Sequence, residues 1–97
     1  MPTYVMLFRW TQQGVEHVKD SPARVDKAKQ LFQAMGGEVK SFYFLMGQYD
    51  AMLVGTAPDN ETISRIALAA ASQGAVRSET MRAFDEDEYR KLIASLP

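Results

Sequence analysis

The chain has 97 residues, 46% of them hydrophobic and 24% charged, with 11 Lys plus Arg against 12 Asp plus Glu and a formal net charge of −1. That length predicts one domain over residues 1–97. The near balance of charge excludes the clustered cationic excess that nucleic acid requires, and the absence of cysteine excludes disulfides, thiol chemistry and thiolate metal sites.

Thr3 to Trp10 is short, β-branched and aromatic, which predicts a strand whose two faces, Tyr4/Met6/Phe8/Trp10 and Val5/Leu7/Arg9, are both mostly apolar. A polar connection follows, with a helical turn expected around Val15 to Val18. Ser21-Pro22 reads as a helix start, Ser as N-cap and Pro at the first helical position. Val25, Ala28, Leu31, Phe32 and Met35 then fall on one face, and Gly36-Gly37 ends the helix. Glu38 to Met46 is a second strand. Gly47-Gln48 suits a two-residue type II′ hairpin, and Tyr49 to Thr56 returns as the third strand. Asp59 or Asn60 caps a helix carrying Ile63, Ile66, Ala67 and Ala70 and closed by Gly74, and Ala75 to Phe84 is a fourth strand. Asp85-x-x-Glu88 is a capping box, with Phe84 and Tyr89 at the staple positions of a last helix striped by Tyr89, Leu92, Ile93 and Leu96.

The order β-α-β-β-α-β-α predicts an α+β, ferredoxin-like βαββαβ antiparallel sheet with a C-terminal helix. Two helices cover one face of such a sheet, yet the first three strands carry large apolar side chains on both faces. A second copy packed face to face, giving a dimer with a closed or nearly closed interior, resolves this conflict. In the alternative, the last helix folds across the open face and the chain stays monomeric.

Arg9, Trp10, Tyr43, Tyr49, Asp50, Arg77 and Arg82 are the candidate ligand-binding residues, strand and turn positions able to line a barrel interior. The same residue types also make interface cores. Asp50, entering an apolar strand, needs a partner if buried. It is either a base or ligand acceptor, or a brace that accepts backbone N–H groups at the hairpin. His17 is the only histidine. It could act as a base, but its setting between Glu16 and Val18 suits a solvated turn. No cofactor is expected, and one histidine without cysteine makes no metal ligand set. The acidic run Asp85 to Glu88 suits a helix N-terminus.

Gly47-Gln48-Tyr49-Asp50, together with Trp10-Thr11, Gln13-Gly14, Lys19, Ser21-Pro22, Arg24, Gly36-Gly37, Ala57-Pro58-Asp59, Arg77 and Arg82-Ala83-Phe84, resembles the GYD-domain family over nearly the whole chain. The resemblance implies a dimeric α/β barrel and no particular activity. The wider superfamily holds cofactor-free monooxygenases, haem-degrading enzymes, isomerases and amino-acid-sensing domains, and fold does not choose among them. The expected function is a homo-oligomeric module for a small apolar or aromatic ligand. The alternatives are a cofactor-independent monooxygenase or isomerase and a purely structural assembly domain. The expected partners are a second copy and a small molecule, with neither nucleic acid nor membrane, since no apolar run reaches the roughly 20 residues of a membrane helix. Met1-Pro2-Thr3-Tyr4 lacks the features of a secretory signal, so the expected location is cytoplasmic.

Overall fold

Alternation along the first strand, β1 (Thr3–Trp10), organises the molecule, which is described over residues 1–97 by a computed structural model. Tyr4, Met6 and Phe8 are buried, while Val5 and Leu7 on the opposite face are only half-covered. A short helix α1 (Gln12–Glu16) and a 3-10 turn (Val18–Asp20) lead into α2 (Ser21–Ala34). Then come β2 (Glu38–Phe44), β3 (Ala51–Thr56), α3 (Asn60–Ser72), β4 (Val76–Ala83) and α4 (Glu86–Ala94). The four strands form one antiparallel sheet in the order β2-β3-β1-β4, which is the ferredoxin-like arrangement.

One core lies between the sheet and its two long helices. Phe32 of α2 and Ile63 and Ile66 of α3 pack with Tyr4, Met6, Phe8, Ala51 and Leu53. Phe32 lies over Gly55 of β3, where an added Cβ would sit 2.7 Å from the ring. Gly37 is as constrained, because a Cβ there would run into the Thr56 carbonyl oxygen. Asp59 caps α3, accepting the Thr62 N–H at 2.8 Å. Thr62, through its side chain first and its backbone N–H second, holds that carboxyl below its ordinary value of 3.8.

The capping box of α4 forms as its sequence predicts: Glu88 N–H donates to Asp85 Oδ1 at 2.8 Å and Asp85 N–H to Glu88 Oε1 at 3.0 Å. The helix does not fold over the sheet. No residue of α4 is buried, and Tyr89, Leu92, Ile93 and Leu96 all remain exposed. The chain measures 51 × 31 × 18 Å, and its radius of gyration of 14.6 Å exceeds the roughly 12.5 Å of a compact chain this long. Its accessible surface of 6597 Å² is about 1,000 Å² more than a compact 10.9 kDa monomer exposes. No helix is long and apolar enough to cross a membrane.

Two local expectations are corrected. Ser21 is not the N-cap of α2, since the 3-10 turn runs straight into the helix and Ser21 is itself helical at φ −60° and ψ −38°. The connection between β2 and β3 is not a two-residue turn at Gly47-Gln48. Leu45 N–H donates to the Asp50 carbonyl at 2.9 Å, so Met46 to Tyr49 form a four-residue loop with Gly47 at φ +117°. Asp50 N–H is taken by Phe8 of β1 at 2.8 Å, which draws the chain toward β1 and away from a tight turn.

These glycines separate two costs of a side chain. Gly37→Ala should lose about 2–3 kcal/mol by forcing backbone apart. Gly47→Ala, in open space, should lose only about 1 kcal/mol, through its left-handed backbone. Urea denaturation at one fixed protein concentration measures both, and equal losses would contradict this packing.

Candidate functional site

Strand register decides which candidate residues meet. β1 and β4 pair with Leu7 opposite Glu79 and Arg9 opposite Arg77, all on the face away from the helices. The centre of that face is apolar: Val5 and Leu7 of β1, Met52 and Val54 of β3, and Met81 of β4. Tyr43 of β2 is opposite Met52 on the same face and is exposed.

One end of the open face is polar. Tyr49 reaches from the hairpin loop to donate its hydroxyl to Glu79 Oε1 at 2.9 Å, and the Arg9 guanidinium carbon lies 4.8 Å from the centre of the Tyr49 ring. Leu7, Arg9, Tyr49, Arg77, Ser78 and Glu79 line a shallow hollow of about 170 Å³ there. Of the candidates, Arg9, Tyr49 and Arg77 therefore come together. Leu7, Ser78 and Glu79 complete the hollow without having been among them. The sequence held a signal for Glu79, an acid on a strand flanked by Arg77 and Arg82, but only the β1–β4 register aligns it with Leu7.

The remaining candidates lie elsewhere. Trp10 is on the helix side, its ring stacked on Phe44 with centroids 5.9 Å apart. Arg82 pairs with Tyr4 at the far end of β4, also on the helix side. It lies 4.3 Å from the Phe84 ring, bonds to the carbonyls of Thr3 and Ala83, and pairs with Glu88 at 3.3 Å, tying the root of α4 to the sheet. His17 is exposed at the end of α1, its Nδ1 3.1 Å from the Gln13 carbonyl. Asp50 is half-buried, and its Oδ2 accepts the Trp10 N–H at 2.8 Å. Tyr49, Asp50 and His17, the side chains a cofactor-free enzyme would use, do not form a nucleophile–base pair here. No group of His, Cys, Asp and Glu is placed to hold a metal.

The family model described as "GYD domain" matches residues 4–93. A Thermus thermophilus protein named "Glutamine synthetase and cystathionine beta-lyase binding protein" is 34% identical over 84 residues, covering 86% of this chain and 88% of its own. Two crystal structures share the fold. One, of a Thermus thermophilus protein, has a TM-score of 0.55 at 23% identity, with 88% of this chain and 95% of that chain covered. The other is a hypothetical protein from Pyrococcus horikoshii, at TM-score 0.53 and 18% identity, with 89% and 93% covered.

The bond from Trp10 N–H makes Asp50 a brace between the hairpin and β1. Asp50→Ala leaves that partly buried N–H without its acceptor and should cost about 1–3 kcal/mol, whereas Asp50→Asn keeps an acceptor and should cost about half as much. Thermal melts of the three proteins at neutral pH check this ranking, and a wild-type midpoint for Asp50→Ala would remove the brace.

Proposed function

The chain belongs to the GYD domain family, and from that footing we propose that it is a homo-oligomeric binding module in which two copies close their open sheet faces over a small ligand. The carrying observation is the bare apolar centre of the sheet, Val5, Leu7, Met52, Val54 and Met81. Covering about 800 Å² per partner is what a standard interface does, and the surplus surface of the isolated chain is of that order. The arrangement is self-complementary, since a two-fold axis brings the same patch of each copy onto the other. The polar end with Arg9, Tyr49 and Arg77 then becomes the wall of an enclosed pocket, apolar with a few converging polar groups, as small-molecule sites are.

A second reading has its own support. The Thermus relative is named for binding glutamine synthetase and cystathionine β-lyase, and α4 carries an exposed apolar stripe that the sheet does not use. On that reading the paired sheets form the scaffold and α4 meets an enzyme partner. The two readings use different surfaces and are compatible.

Met81→Glu, which puts a charge on an already exposed position of the open face, should leave the fold intact and raise the dimer dissociation constant about a hundredfold or more. Met46→Glu at the loop tip should leave it unchanged. Sedimentation equilibrium measures both, and a monomeric wild-type chain at micromolar concentration would contradict the pairing. A complex with added purified glutamine synthetase that survives Met81→Glu would support α4 as the partner surface.

A further inference from the structure

The polar end of the open face has a charge problem that pairing makes acute. Arg9 and Arg77 stand directly opposite each other on β1 and β4, a like-charge cross-strand pair that is destabilising in itself. Neither arginine has an ion-pair partner. The chain's three ion pairs are Lys40–Glu38, Arg82–Glu88 and Arg90–Glu86. Glu79, the acid of the hollow, accepts from the Tyr49 hydroxyl, and the Asp50 carboxylate accepts from Trp10 N–H. Arg9 is held over the Tyr49 ring, which orients the guanidinium without using its fork of N–H donors.

In the isolated chain water can serve those donors. Once two open faces close on each other, water is displaced and a buried charge without a counterion becomes costly. Farther along the face Glu38 is matched by Lys40 at 3.2 Å. Among the residues that line the hollow, two guanidiniums face one carboxylate, so the hollow itself carries one surplus positive charge into the interface. The deficit is a single negative charge. Glu79 within the same hollow opposes a second one, which disfavours a dianion. The neighbouring wall is Leu7 and the apolar centre of the sheet, and the hollow, about 170 Å³ and open on one side, admits only a small ligand.

We infer that each copy binds one small monocarboxylate in this hollow, its carboxylate on the paired guanidiniums of Arg9 and Arg77 and its apolar remainder against Leu7. This rests on the face-to-face pairing proposed above and names the chemical class of its ligand. The carboxylate neutralises the cross-strand pair, so binding and pairing reinforce each other. A bidentate carboxylate also suits the planar fork of arginine better than a neutral ligand could.

Sedimentation equilibrium of the full chain in low-chloride buffer, with benzoate, benzyl alcohol or inorganic phosphate added, tests the inference. Benzoate should lower the dimer dissociation constant by about tenfold once it exceeds its own Kd several-fold. Benzyl alcohol, its neutral counterpart, and phosphate should not. Arg77→Leu removes the surplus charge, so it should pair more tightly than wild type without any anion and lose the benzoate response. Arg9→Met should behave in the same sense. A dimer indifferent to benzoate, a larger response to phosphate, or weaker pairing by both arginine variants would each overturn the inference while leaving the pairing intact. A wild-type chain that stays monomeric under all conditions would overturn the pairing reading, and the ligand site with it.

Discussion

Four strands alternate with two helices that are long enough to pack, and the helices lie on one side of the sheet. On that side Tyr4, Met6, Phe8, Ala51 and Leu53 meet Phe32, Ile63 and Ile66 in a continuous core. On the other side the same strands present Val5, Leu7, Met52, Val54 and Met81, and no helix covers them. Apolar surface left in water gives up about 25 cal/mol for every Å² that a partner could have covered. The placement of the charged groups on the open face follows from this imbalance between the two faces.

The polar end of the open face fits the same constraint. Register puts Arg9 and Arg77 opposite each other, where two long cations are tolerable only in water or beside an anion. Tyr49 links the hairpin loop to this pair through its ring over Arg9 and its hydroxyl on Glu79. The loop takes its course because Asp50 is bonded to β1 at both Phe8 and Trp10. The Gly-Gln-Tyr-Asp stretch thus divides its work. Gly47 supplies the left-handed backbone, Tyr49 faces the open side, and Asp50 fixes the loop to the sheet. At the opposite end of β4, Arg82 is occupied by Phe84, Glu88 and two carbonyls and serves α4.

The sequence made most of the fold legible because its periodicities are local. The two-faced alternation of Thr3 to Trp10, the stripe from Val25 to Met35 and the capping box at Asp85 each involve neighbours a few residues apart. Family resemblance along the chain agreed with the topology. Register was not legible, because it depends on pairing between distant segments. A bulge between Val39 and Ser41 changes which β2 side chains face the helices. Parity along β4 places Arg77 and Arg82 on opposite faces although both read as strand arginines. The hairpin departs from a two-residue turn for a similar reason, since Asp50 bonds to β1, which is far away in sequence. The candidate site is thus half-legible: Arg9, Tyr49 and Arg77 converge, Trp10, Arg82 and His17 stand apart, and Leu7, Ser78 and Glu79 join only through the pairing of β1 with β4.

Methionines at three depths allow the central claim, that a second copy covers the open face, to be tested on the natural sequence with no substitution. Met6 is 1% exposed in the core, Met81 is 42% exposed on the open face, and Met46 is 94% exposed at the loop tip. Oxidation to the sulfoxide follows exposure, so rates measured by mass spectrometry across protein concentrations report the covered face directly. With the open faces paired, Met81 reacts nearly as slowly as Met6 at high concentration and approaches the Met46 rate on dilution. A Met81 rate close to that of Met46 at every concentration would mean that the open face stays in water, contradicting the pairing and the ligand site built on it.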